Sequence, residues 1–259
     1  MDGVAGDMRG KAVRIILLLA SVLFVVGVPV LLVSSNLRAA VNEVRLYEYG
    51  FNKYDVDMAV GLSQEELRDV AVQFIEYYNN DEEYLDIDLF NDREIEHMKD
   101  VKGLIRLDYR VQIGCAAYMG AFILAGFALA RHRFWRLLAG RLVWGGFFTI
   151  AVLIVLGIWA AVDFESMFLV FHLASFSNDL WIMGPGDTLL PMFPEGFFNE
   201  ATLFVAGATL VEALLLGGIG WGIVRFLRNR GGIPRRTANG RTRSWWRCNR
   251  RSCCRRLRG

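Results

Sequence analysis

Residues 15–33 read IILLLASVLFVVGVPVLLV, nineteen residues without a charge. At a helical rise of about 1.5 Å per residue, such a run covers about the 30 Å of hydrocarbon in a bilayer. Three more blocks share the property: Val111 to Ala130, Leu142 to Val162, and Ala201 to Val224, the last interrupted only by Glu212. Backbone surrounded by hydrocarbon must satisfy its own hydrogen bonds, so continuous apolar runs of this length signal helices. The chain as a whole is 54% apolar and 22% charged, and the apolar excess is gathered in these blocks, which excludes an ordinary soluble domain. The first block exceeds the roughly 7–15 residues of a signal-peptide core. Val33-Ser34-Ser35-Asn36 after it offers no small-x-small cleavage site, so we read an uncleaved signal anchor. Pro29 removes one backbone donor near its outer end and is expected to kink it.

Charge placement orients the blocks. Arg9, Lys11 and Arg14 precede the first; Arg131, Arg133, Arg136 and Arg141 lie between the second and third; thirteen arginines and no acid follow the fourth. Residues 38–109 instead hold 18 acids against 8 bases, and residues 163–200 hold six acids and no base. Basic segments stay on the cytoplasmic side, which predicts both ends inside and both acidic connections outside. The expected fold is therefore an all-α membrane protein with four transmembrane helices, a small mixed extracytoplasmic domain and an aromatic interfacial second outer loop. Its divisions are a cytoplasmic N-terminus (1–14), helix 1 (15–37), the extracytoplasmic domain (38–109), helix 2 (110–130) and a basic cytoplasmic loop (131–141). Helix 3 (142–162), the interfacial outer loop (163–200), helix 4 (201–224) and an Arg-rich disordered tail (225–259) complete them. That tail is expected to lie on anionic headgroups, each basic residue contributing about 1 kcal/mol, rather than to bind nucleic acid. Cys248, Cys253 and Cys254 in it and Cys115 in the second span read as unpaired thiols.

In the first outer region, Ser63-Gln64-Glu65-Glu66 is a capping box opening a helix with Leu67, Val70, Ala71, Phe74, Ile75 and Tyr78 on one face. Leu46 to Tyr54 and Tyr84 to Leu89 have the short, aromatic or β-branched look of paired strands. Asn91-Asp92-Arg93-Glu94 caps a helix that continues into the second span and places His97 and Asp100 three apart, on one face. The second outer region carries Phe164, Phe168, Phe171, Phe176, Trp181, Phe193, Phe197 and Phe198, the composition of segments lying at or dipping into the interface.

Of three histidines, His132 belongs to the basic cytoplasmic cluster, whereas His97 and His172 fall in the two outer regions. Histidine suits proton movement near neutral pH. Either one alone reads equally as a satisfied interfacial side chain; two in one compartment, each near a carboxylate or amide, raise the case for chemistry. A metal site would draw on His97, His172, Asp100 and Asp179 or Asp187, without an HExxH-like pair. A nucleophile would have to be Ser175 or Ser177, which lack an elbow motif. General acid–base catalysis needs only a base, an acid and an oxyanion stabiliser. A metal-dependent outer-face hydrolase and a non-enzymatic transport or sensor protein stay open as alternatives, the latter resting on Glu212, the one carboxylate within a span.

The segments Glu96-His97-Met98-Lys99-Asp100-Val101-Lys102, Phe171-His172, Phe176, Asn178-Asp179-Leu180-Trp181 and Phe193-Pro194-Glu195-Gly196-Phe197-Phe198 resemble the lipoprotein intramolecular transacylases (Lit). Tyr47-Glu48-Tyr49-Gly50-Phe51 and Gly61 to Leu67 are similar to that family's first-loop pattern, and the likeness runs from about Lys11 to Arg228. The resemblance implies a four-helix enzyme of the bacterial plasma membrane. Such an enzyme moves the sn-2 acyl chain of a diacylglyceryl-modified lipoprotein onto the α-amino group of its N-terminal cysteine, leaving a lyso-form lipoprotein. It places the two essential histidines at His97 and His172; beside them, we expect Asp100 to orient His97 and Asn178 or Trp181 to donate to a carbonyl oxygen. It implies no metal, coenzyme or covalent acyl-enzyme; the partners are lipoprotein substrates and membrane lipids, with no nucleic acid and no obligate protein partner. The Arg-rich tail departs from the family pattern.

Overall fold

A computed structural model describes residues 2–230. Four long helices form the body: α1 (Asp2–Val41), α5 (Asp92–Ala130), α6 (Phe134–Val162) and α9 (Glu195–Arg230). Five shorter ones, α2 (Val44–Lys53), α3 (Val56–Val60), α4 (Gln64–Asn79), α7 (Phe164–Ser175) and α8 (Leu189–Met192), gather at one end. Three continuous helical stretches are long and apolar enough to cross a membrane, and the middle one, Asp92–Val162, folds back on itself. The reversal is a 3-10 turn at Arg131–Arg133 with Arg131 at φ 47°, closed by the edge-on packing of Phe127 on Phe134 at 4.9 Å. The arginine-containing connection between the second and third blocks shrinks accordingly, because Arg136 and Arg141 lie on α6 itself. Likewise α9 starts before residue 201 and continues past Val224 to Arg230, so the first residues of the tail are helical. Residues 231–259, with the tail's three cysteines, lie outside the described part. Charged side chains end an apolar block without ending a helix, since Arg, Lys and Glu are good helix formers. Helix α1 likewise runs unbroken through Pro29.

Helices α1 and α5 are antiparallel: Tyr118 donates to the Ala20 carbonyl at 2.6 Å near one end, and Ser34 to Asp108 at 2.7 Å near the other. Helices α6 and α9 are also antiparallel and pack through glycine. A Cβ on Gly146 would sit 2.7 Å from the Ala213 carbonyl oxygen and 3.2 Å from the Gly217 Cα, so no side chain fits there. Between α1 and α9, Asn36 Nδ2 reaches Glu212 Oε2 at 2.7 Å and Thr209 Oγ1 at 3.1 Å. Large apolar side chains on the bundle's outside, such as Ile15 (57%), Leu124 (72%), Val155 (67%) and Leu214 (56%), are more than half exposed, as a lipid-facing surface requires.

Helices α2, α3, α4 and α8 share one core. Tyr47, Phe51, Leu67, Val70, Phe74 and Tyr77 from the first connection pack with Met98 of α5 and with Leu189, Met192 and Phe197 from the second. Both capping boxes form as read, Ser63 with Glu66 and Asn91 with Glu94. The strand expectation fails: among the described residues no strand forms, only an isolated bridge between Pro185 and Asp187. Leu46 to Tyr54 lies mostly in α2, whose buried Tyr47, Gly50 and Phe51 fall at helical spacing behind a Glu43 cap. Tyr84 to Leu89 is irregular because α5 ties down the turn before it. Lys102 donates to the Glu82 carbonyl at 2.6 Å and to Asn80 Oδ1 at 3.0 Å, and Arg106 reaches Asp81 at 3.1 Å. The regular structure of the first connection is thus helical rather than mixed among the described residues.

Candidate active site

Helix α5 rises from its Asn91 cap through the outer core, and His97 lies on its second turn, 8% exposed. Helix α7, capped by Asp163, carries His172 on its last turn, also 8% exposed. The two come together around Phe176, whose ring centroid is 5.2 Å from that of His97 and 5.7 Å from that of His172. Phe168 at 4.2 Å and Trp181 at 5.0 Å complete an aromatic cage around His172.

Burial determines the protonation state of both rings. It pulls His97 down to about 4, helped by the neighbouring His172 and opposed by the charge of Asp100. His172 is also lowered by burial, against the opposing effect of its bond to Phe168. Both imidazoles are therefore neutral at pH 7. His172 Nδ1 lies 2.8 Å from the Phe168 carbonyl oxygen. A carbonyl only accepts, so the proton sits on Nδ1 and the lone pair on Nε2, the arrangement a base needs. His97 Nδ1 is buried with no partner among the described residues.

The supporting residues converge, though not all as expected. Asp100 accepts from Asn178 Nδ2 at 2.8 Å, linking α5 to the segment after α7. It acts on His97 through charge, not through an orienting hydrogen bond. One amide hydrogen of Asn178 is thereby committed to Asp100, and its Oδ1 accepts from Leu180 N at 3.0 Å. Trp181 packs on the His172 ring. Glu212 sits apart in the bundle with Asn36. Asp187 does not join the histidines: it accepts from Asn91 at 2.9 Å and from Gly184 N at 2.6 Å. Among the described residues, no set of three or more His, Cys, Asp or Glu is placed to hold a metal ion.

Sequence reasoning missed the role of Glu94. It is 1% exposed, and besides its capping bond it accepts from Leu189 N at 2.6 Å across 95 positions. Arg93 adds a bond to the Asp179 carbonyl at 2.7 Å. The first turn of α5 thus holds down the whole second connection, and with it the roof over His97. The cap motif was visible; its second acceptor oxygen has no signature in local spacing.

Comparison with known proteins agrees with the helical fold. Structures of the membrane integral lipoprotein intramolecular transacylase Lit from Bacillus cereus superpose with a TM-score of 0.70 at 21% identity, covering 82% of this chain and 97% of that one. A histidine-to-arginine variant of the same protein gives 0.69 at 19%, covering 89% and 100%. At such identities the likeness establishes the fold. An uncharacterized protein of Aquifex aeolicus (strain VF5) is 30% identical over 144 residues, which span 55% of this chain and 61% of that relative's length. The family described as lipoprotein intramolecular transacylase Lit matches residues 22–198, more than half of the chain. With its helical bundle and its buried histidines in place, this chain belongs to the lipoprotein intramolecular transacylase family.

Proposed function

We propose that the protein moves the sn-2 acyl chain of a diacylglyceryl lipoprotein onto the α-amino group of the lipoprotein's N-terminal cysteine. The product is a lyso-form lipoprotein, made by acid–base catalysis at His97 and His172. The carrying observation is the meeting of these two neutral imidazoles, 75 positions apart in sequence, around the single ring of Phe176. In this reading four helices span the bacterial plasma membrane with both termini inside, so the short helices and the histidine pair face outside. The charge asymmetry of the connections supports that orientation.

The chemistry is aminolysis of an ester by an amine of the same molecule, so correct placement supplies much of the rate. One N–C bond forms to the acyl carbonyl carbon, and the bond from that carbon to the glyceryl oxygen breaks. The amine gives up one proton and the glyceryl oxygen gains one, so no water is consumed and the protein ends unchanged. His172, with its lone pair on Nε2, takes the proton from the attacking nitrogen. His97 stabilises the developing oxyanion or returns a proton to the leaving oxygen. Because burial disfavours the imidazolium, the proton passes on quickly to the leaving oxygen. Asp100 sets the local charge, and Asn178 and Trp181 hold the roof.

The test is mass spectrometry of an N-terminal lipopeptide from cells expressing the protein. Conversion of diacylglyceryl-cysteine to the N-acyl lyso form is expected; an unchanged lipopeptide refutes the assignment. His97→Ala and His172→Ala should each abolish conversion at normal membrane levels, and activity retained by either rules out a paired-histidine mechanism. A metal-dependent hydrolase would instead lose activity with chelator, and the commitment of Asp187 to Asn91 and Gly184 counts against it.

A further inference from the structure

Beside the histidine pair, a cleft of about 260 Å³ runs between α5 and the segment following α7. Its mouth is polar, formed by Asp100, Ser175, Ser177 and Asn178. Its foot is apolar, formed by Gly103, Leu104 and Leu107, and Phe176 is the wall it shares with both histidine rings.

Three features select an occupant. Asp100 is bonded to the neutral amide of Asn178 and makes no salt bridge with any described residue, so its negative charge meets no fixed cation at the mouth. A Cβ on Gly103 would meet nothing within 4 Å, so the floor is open space. Leu107, 52% exposed, lies just above the apolar block of α5, so the foot opens toward the lipid-facing part of the helix.

The geometry points to a subsite for an ammonium-bearing amphiphile: its cationic amine sits on Asp100 and its alkyl chain runs along Gly103, Leu104 and Leu107. On the function proposed above, on which the ligand's identity rests, this amine is the α-ammonium of the lipidated cysteine. An α-amino group has a pKa near 8 and is mostly protonated at pH 7, so it offers three charge-assisted donors. Asp100 lies three residues from His97 on one helix, so the bound ammonium waits next to the pair; it releases one proton to solvent before attack, and the second, given up as the N–C bond forms, is the one the pair passes to the glyceryl oxygen. A lipid without the amine gains only the apolar contacts. The polar mouth therefore discriminates an amine-bearing amphiphile from a lipid without an amine.

Two ether-linked probes test this, since ethers are not acyl donors: a dialkylglyceryl-cysteinyl peptide with a free amine, and its desamino counterpart. Binding to the full-chain protein in detergent is measured by calorimetry at pH 7. The amine-bearing probe should bind about tenfold more tightly, as one charge-assisted hydrogen bond warrants. Asp100→Asn should erase that preference, Asp100→Glu should retain part of it, and Gly103→Leu should weaken both probes alike. Equal binding of the two probes to the wild type, or a preference that survives Asp100→Asn, overturns the subsite. Ester-linked lipopeptide, followed separately by mass spectrometry, distinguishes the two claims. An Asp100-dependent preference without conversion leaves the subsite standing and sinks the transacylase reading; conversion with a preference independent of Asp100 does the reverse.

Discussion

Replacing Glu94 by glutamine should loosen the second outer connection while the bundle stays intact. In the wild type its Oε2 accepts from Asn91 N at 2.9 Å and its Oε1 from Leu189 N at 2.6 Å, in a site 1% exposed. A glutamine amide has one acceptor oxygen, so only one of these N–H groups is served and the other faces the NH₂. A buried donor left without a partner costs about 1–3 kcal/mol, and the two opposed donors hold the loss near the upper end. For a protein of this size that is a fall of about 4–10 °C in Tm. Glu94→Ala removes both acceptors and leaves a void, so its loss should be about 4 kcal/mol or more. The assay is thermal unfolding in detergent combined with hydrogen exchange. Amides of residues 178–192 should lose protection in Glu94→Gln, while those of α1, α6 and α9 keep it. A variant that melts with the wild type and keeps Leu189 protected would refute the reasoning. So would loss of protection spread evenly over the bundle, which would deny Glu94 its local role.

Three other outcomes follow from the structure. Gly146→Val should destabilise the α6–α9 contact by about 1–3 kcal/mol, because the nearest atoms are backbone and cannot rotate away; thermal unfolding in detergent measures it. His97 is about 4 in the folded protein against 6.5 ordinarily, so the unfolded chain binds its proton first as pH falls. Stability from this residue is complete above pH 6.5 and declines toward pH 4, by about 3 kcal/mol in all, and the gap between wild type and His97→Asn across that range reads it. Glu212→Gln should keep conversion and cost less than about 2 kcal/mol, since interhelical hydrogen bonds in membranes are individually weak and a glutamine oxygen still accepts from Asn36. A complete loss of conversion in that variant would give the carboxyl group a chemical role.

The four apolar blocks, the alternation of basic and acidic connections, and both capping boxes are properties of neighbouring residues and were legible without coordinates. Hydrophobic length and helix-cap chemistry act over a few turns, so local sequence carries them. The candidate histidines stood out for a related reason: only three exist, and charge placement predicts one compartment for two of them. Leu46 to Tyr54 was misread because aromatic, short segments satisfy strand and helix patterns alike until a partner face exists. That face comes from Leu67, Phe74 and Phe197, the last nearly 150 positions away.

What the sequence by itself determined is the membrane class, the apolar blocks and their charged flanks, and the capping boxes. What only the tertiary structure decided is how the site residues meet: Phe176 between His97 and His172, Asp100 bonded to Asn178 rather than to His97, and Glu94 holding Leu189. Those contacts join segments about 75 to 95 residues apart. No local preference encodes such pairs. They arise when the two connections are forced together at one end of the bundle, and burial there is what lowers the pKa of both imidazoles.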